Sequence, residues 1–168
     1  MKGNMRSVEV SPNSGPTAVD RAFQLGYFVA YRLMRAYWSV RRPVTHGTLI
    51  ALWNAGEVLL VRNSYIPYYS APGGYLRRNE EARLAAVREL EEEVGIVVSP
   101  DQLKPALELT HDWENKRDHV QIFNLELPAR PSIRIDHREV LEASWFTPER
   151  ALALNVFPPL AKVIAAKA

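Results

Sequence analysis

From position 20 the chain reads DRAFQLGYFVAYRLMRAYWSVRRP, with Phe23, Tyr27, Ala30, Met34 and Trp38 recurring at three- and four-residue spacing. That spacing is the signature of a helix with one apolar face. Asp20 can cap its start, and Pro43 bars continuation beyond Arg42, which bounds the helix at both ends. Gln24, Arg32, Arg35 and Ser39 fall on the other side. Arg32 and Arg35 interrupt the apolar run well short of the ~20 residues a bilayer span requires. The apolar face must be buried against its own domain, a sister subunit of a homodimer, a separate docking partner, or a membrane surface. The last is suggested by the mixture of Tyr, Trp and Arg.

After Pro43 the pattern changes to short apolar runs. Residues 47–53 (GTLIALW) and 58–61 (VLLV), joined by Asn54, Ala55 and Gly56, predict a hairpin with glycine at a left-handed turn position. Residues 64–70 (SYIPYYS) read as an aromatic loop, and Pro72, Gly73 and Gly74 end a short extended piece. Helical spacing resumes over residues 80–94, with Gly95 as its stop. Strands are predicted at 103–109, 120–127 and 142–146, with a polar loop over 110–118 between the first two. The apolar positions Val120, Ile122 and Leu125 do not alternate cleanly, which leaves the inward face of their strand open. Thr147 followed by Pro148 opens a helix, and Pro158-Pro159 introduces a last one over 160–166. Strands and helices mix without regular alternation, which predicts an α/β fold with a mixed sheet covered by helices.

Composition narrows the picture. With 168 residues, 47% of them hydrophobic and 24% charged, the chain fits one globular domain. Three regions are expected: a weakly ordered arm at 1–19 without the pattern of a secretory leader, the amphipathic helix at 20–43, and a folded domain at 44–168. A net charge of +2 without a basic stripe gives no ground for specific nucleic-acid binding. The absence of cysteine excludes disulfides, thiolate metal sites and a cysteine nucleophile, and fits a reducing cytoplasm.

The chemistry concentrates in the helix at 80–94. At 100° per residue, Leu84, Val87, Leu90 and Val94 share one arc while Glu89, Glu92 and Glu93 share another, predicted to face outward. Three carboxylates at this spacing repel one another, costing several tenths of a kcal/mol per pair. A hard divalent cation such as Mg²⁺ or Mn²⁺ turns that repulsion into shared attraction. Ala82, Ala85 and Ala86 on the acidic side leave room for a ligand or another element, and Arg88 is the adjacent cation. Glu91 lies apart and reads as a solvated residue. Upstream, Gly73 and Gly74 allow backbone to approach a substrate, Asn79 tolerates a left-handed turn, and Arg77 and Arg78 are candidate phosphate contacts near the helix start. Arg62, Trp113, Arg117 and His119 are weaker candidates for substrate contact, as are Tyr65, Tyr68, Tyr69 and Tyr75, whose rings could stack on a base.

Taken together, Gly74, five residues, Glu80, seven residues, Arg88-Glu89-Leu90, one residue, Glu92-Glu93, one residue and Gly95-Ile96 resemble a complete Nudix box. The resemblance implies a Nudix-type α/β/α sandwich with a mixed β-sheet, here with an N-terminal extension helix as in helix-extended bacterial members. It also implies hydrolysis of the pyrophosphate bond in a nucleoside diphosphate linked to another group, an ADP-sugar such as ADP-ribose first and a nucleoside triphosphate second. By the same resemblance Glu89, Glu92 and Glu93, assisted by Glu80, hold Mg²⁺ or Mn²⁺, and Arg88 orients them. Glu89 ranks first as general base, with Glu139, Glu142 and Glu114 as alternatives. Many family members carry Glu where this chain has Arg77 and Gly where it has Asn79. Two other readings stand beside this one: a non-catalytic Nudix ligand sensor, and a membrane-associated hydrolase of a lipid-linked diphosphate.

Overall fold

The computed structural model describes residues 16–135 and 137–168. Residues 1–15, most of the predicted arm, lie outside them. The first helix, α1, runs Ala18–Arg41, 24 residues or about 6.7 turns, so it begins within the span expected to be an arm. Its start is set by Thr17, whose hydroxyl accepts from the Asp20 amide at 3.2 Å while the Asp20 carboxylate accepts from the Thr17 amide at 2.9 Å. Asp20 is therefore the third residue of a capping box and not the cap itself. Arg42, in the left-handed conformation, ends the helix before Pro43.

Strands β1 (Val44–Asn54) and β2 (Glu57–Asn63) form the expected hairpin. Both turn residues, Ala55 and Gly56, have positive φ, the two-residue turn that matches the twist of the strands. The extended piece Gly73–Tyr75 is β3, paired antiparallel with β1. After α2 (Ala82–Val94), strands β4 (Lys104–Trp113) and β5 (Lys116–Glu126) are longer than their apolar runs suggest. The polar segment 110–118 is not a loop: Glu114 and Asn115, with φ of 51° and 65°, make a two-residue turn, and the remaining positions continue the ladder. Polar side chains concealed those strand ends because several of them face a cavity. Strand β6 (Val140–Phe146), α3 (Pro148–Leu152) and α4 (Pro158–Ala165) complete the chain, and Thr147 caps α3 as expected.

The sheet is mixed, in the order β4-β5-β1-β2-β6, with β3 paired to β1 and with β1 and β5 parallel. Both faces are covered, which explains the imperfect alternation in β5. Val120 and Ile122 pack on one side with Leu49, Ala51 and the α4 residues Leu160 and Ile164. Phe123 and Leu125 pack on the other with Ile50, Leu52 and the α2 residues Leu90 and Val94. A strand buried on both faces reads as a continuous apolar run. The result is the three-layer α/β/α sandwich, with α1 outside it against the β4–β5 turn and the segment around His137.

Candidate active site

Helix α2 is anchored more by alanine than by large side chains. Ala82, Ala85, Ala86, Leu90 and Val94 are buried, while Leu84 is 48% exposed. The acidic side does not simply face outward: Glu93 is only 6% exposed, because β3 crosses above the helix there. Small residues let this layer approach closely. A side chain at Gly73 would collide with the Thr48 carbonyl and stand 2.8 Å from the Leu49 Cα, and Gly73 has a φ of 153°. A Cβ on Gly74 would lie 2.6 Å from Glu89 Oε1, so glycine there leaves space for that carboxylate.

Arg88 organises the carboxylates. Its Nε and Nη2 donate to the two oxygens of Glu80 at 2.9 Å each, and its Nη1 donates to Glu89 at 2.7 Å and to Glu92 at 3.2 Å. Asn79, with φ of 61°, makes the turn that brings Glu80 back so that it also accepts from the Arg77 amide at 2.8 Å. The Arg88 guanidinium and that amide hold the Glu80 carboxyl well below the usual range. Arg77 reaches Glu92 from the other side at 3.2 Å. Burial raises the Glu89 pKa, opposed by the hydrogen bond and charge of Arg88.

Glu93 lies deeper, accepting from the Gly73 amide at 2.9 Å and from the Asn63 side-chain amide at 3.3 Å. Neither donor carries charge, and burial pushes its carboxyl up to about 8. Glu139 adds negative potential at both Glu89 and Glu93, and accepts a 2.5 Å hydrogen bond from Tyr65. Carboxylates thus outnumber the arginines around Arg88, and the most buried of them has no cation against it. Hard oxygen donors with surplus negative charge suit a divalent cation. Among the described residues no three acidic or histidine side chains are gathered closely enough to hold a metal ion, and Arg88 engages one oxygen each of Glu89 and Glu92. A cation would meet the second oxygen of each of these carboxylates, with Arg88 keeping the first.

The site opens into a cavity of about 570 Å³. Gly73, Gly74, Arg77, Arg88, Glu89 and Glu92 form its polar end, and Tyr65, Tyr68, Tyr75, Trp113 and Phe157 line its aromatic part. Helix α1 supplies a further wall through Tyr27, Tyr31, Met34 and Trp38. It is held there by the Tyr31 hydroxyl donating to Glu114, by Gln24 donating to the His137 carbonyl at 2.7 Å, and by Lys116 lying 5.0 Å from the Trp38 ring centroid. Gln24 and Arg35, expected on the far side of this helix, therefore belong to its packed side. At the cavity floor, Lys116 and Asp118 form a buried ion pair at 3.1 Å.

Several candidates converge here and others do not. Arg77, Trp113, Glu114 and Glu139 line the cavity with the helix carboxylates. Arg78 and Glu80 lie in an adjoining recess beside Asn79. Arg62 and Glu142 lie outside the cavity lining, paired with each other at 3.4 Å, and Tyr69 donates to the same Glu142 at 3.4 Å. His119 stacks on His46 and contacts Thr110. Glu91 is exposed, as expected. The lining residues not anticipated include Tyr27, Tyr31, Met34 and Trp38 as cavity wall, together with Asn63, Lys116, Asp118 and Phe157. Only Lys116 and Asp118 carried a local signal, as charges on the inward register of a strand continuing toward Val120.

This combination of sandwich, glycine-bearing β3 and Arg88-centred carboxylates defines a class of phosphorus-anhydride hydrolase. The family model for the NUDIX domain matches residues 44–167, and the chain belongs to the Nudix family as a Nudix-type hydrolase. Solved structures share the fold. A MutT protein from Methanosarcina mazei Go1 is 21% identical, with TM-score 0.64 over 77% of this chain and 96% of that one. The dihydroneopterin triphosphate pyrophosphohydrolase of E. coli is 23% identical, with TM-score 0.63 over 72% and 92%. The Ap4A hydrolase of C. elegans, in a binary complex, is 22% identical, with TM-score 0.62 over 72% of this chain and 93% of that one. No curated protein matches the chain in sequence. The matched segment begins at residue 44, so α1 lies outside it.

Proposed function

We propose that this protein hydrolyses the pyrophosphate bond of a small nucleotide-like diphosphate, with Glu89, Glu92 and Glu93 as ligands for Mg²⁺ or Mn²⁺ and Glu80 in support. One observation carries the reading: Glu80, Glu89 and Glu92 are tied to Arg88 and Glu93 to the Gly73 amide, beside a single cavity. When bound, the cation would offset diphosphate charge and lower the pKa of water. The protein's own groups do the rest. Arg88 fixes the carboxylates before substrate arrives, which lowers the reorganisation needed during reaction. Gly73 and Gly74 let the diphosphate pass close to backbone, and Arg77 can turn from Glu92 to a phosphate oxygen. Glu89, partly desolvated and with a raised pKa, is suited to take the proton from attacking water; Glu139, beside it, is the alternative base.

The aromatic part of the cavity receives the group attached to the diphosphate. Its size falls within the ~300–1,000 Å³ of small-ligand sites, and its Tyr and Trp rings suit a flat base and a sugar. An ADP-sugar such as ADP-ribose is the preferred substrate, ahead of a nucleoside triphosphate. A panel of ADP-ribose, nucleoside triphosphates, dihydroneopterin triphosphate and Ap4A, each with Mg²⁺ or Mn²⁺ and with product masses measured, tests this. Release of a nucleoside monophosphate is expected, falling by about 10³-fold in Glu92→Gln. Glu92 is half-exposed, so that variant keeps its fold. No turnover of any substrate with either cation would leave the sensor reading in its place.

A further inference from the structure

Helix α1 packs against the protein on one side only. Asp20, Phe23, Gln24, Tyr27, Tyr31, Arg35 and Trp38 make its contacts, and at 100° per residue they span about 120°. Across the helix from them run Leu25, Val29, Leu33 and Val40, which are 65%, 48%, 67% and 80% exposed. Arg21 and Arg32 border this stripe on one edge and Tyr37 borders it on the other, all three exposed. The one acid of the helix, Asp20, is on the packed side and engaged by Arg138 at 3.4 Å.

An apolar stripe bordered by arginines, with no acid on that side, has a charge complement only in an anionic surface. A second copy of the helix would bring further arginines and no carboxylate to meet them. In an anionic bilayer the leucines and valines enter the acyl boundary, Tyr37 sits at the headgroup level, and the guanidinium groups meet lipid phosphates. No helix among the described residues is long and apolar enough to cross a membrane, so this one would lie along its surface. We infer that the outer face of α1 docks on anionic phospholipid bilayers. The opposite side of the same helix is a wall of the catalytic cavity, so docking places that cavity at the lipid surface.

Sedimentation of the full chain with vesicles tests this, using phosphatidylcholine alone or mixed with phosphatidylglycerol. The chain should pellet with the mixed vesicles and not with the neutral ones, and should be released by salt. Leu33→Glu should abolish pelleting, and the double variant Arg21→Gln with Arg32→Gln should weaken it by about fivefold per arginine. The arginine variant removes only exposed charge, so it keeps the test decisive if Leu33→Glu fails to fold. Circular dichroism and subunit mass are measured on every variant. A folded chain that ignores anionic vesicles overturns the inference. So does equal binding by the arginine variant, or a dimer without vesicle affinity that Leu33→Glu splits into monomers.

Discussion

Helices α2 and α1 border the same cavity and are built on opposite principles. In α2 the small residues Ala82, Ala85 and Ala86 are buried, and Arg88 binds Glu80, Glu89 and Glu92 through a guanidinium whose own side chain is 17% exposed. In α1 only Trp38 is buried, and the helix is held by a handful of polar and aromatic contacts. One helix is fixed before substrate arrives; the other is a wall added to the family domain and fastened lightly. Rigidity belongs where charge is redistributed in the reaction, and adaptability is tolerable where a substrate is only enclosed. Substitutions in α2 should therefore act on kcat, and substitutions in α1 on KM.

Glu93→Gln is the largest expected perturbation, because it removes the most buried carboxylate of the proposed metal set. Turnover should fall by about 10³-fold. The metal-free protein should become more stable, which distinguishes functional loss from misfolding. Burial raises the Glu93 carboxyl from its ordinary value of 4.5 to about 8, so the folded chain holds the proton more tightly than the unfolded one. The cost of ionisation is thus absent below pH 4.5, grows through the interval, and is fully present above pH 8. Denaturant melts without divalent cation should show stability declining across that window. The glutamine variant should flatten the decline and gain roughly 1 to 3 kcal/mol at its upper end. A variant less stable than the parent at pH 8 would contradict this account.

Arg88→Ala should come next. It leaves every carboxylate in place but removes the group that fixes three of them, so kcat/KM should fall by about 10- to 100-fold, the usual scale for losing a ligand-orienting partner. The Glu80 carboxyl, held low chiefly by Arg88, should titrate closer to the ordinary range in an NMR pH series. An unchanged Glu80 titration would show that the Arg77 amide alone sets it.

The same contrast governs what was legible in the sequence. The site on α2 follows from spacing, because a helix converts i, i+3 and i+4 into proximity without tertiary information. Asn79 and Gly95 were readable for a similar reason: each fills a left-handed backbone position. Glu93's burial was not readable, since it depends on β3 lying over the helix. The two-sided burial of β5 needed helices on both faces, and residues 110–118 read as a loop because Lys116 and Asp118 point their charges into a cavity. The role of α1 as a wall was least accessible. Its amphipathic period puts Phe23, Tyr27, Met34 and Trp38 on one face, and these do lie on the packed side; that Gln24, Tyr31 and Arg35 share it, and that the face walls a cavity, depends on tertiary contacts.

Tyr31→Phe should give the smallest effect and the most specific one. Its hydroxyl donates to Glu114 in the β4–β5 turn, a contact that ties the middle of α1 to the sheet, while its ring also lines the cavity. Phenylalanine keeps the ring and removes the tie, a loss worth about 0.5 to 1.5 kcal/mol. Loosening the wall weakens enclosure of the attached group in ground state and transition state alike, so KM should rise about threefold to tenfold while kcat stays unchanged. A substrate truncated to little more than its phosphates would not reach α1, and its kinetics should not change. Should kcat fall instead, α1 would have to position the reacting groups, and the division of labour between the two helices would fail.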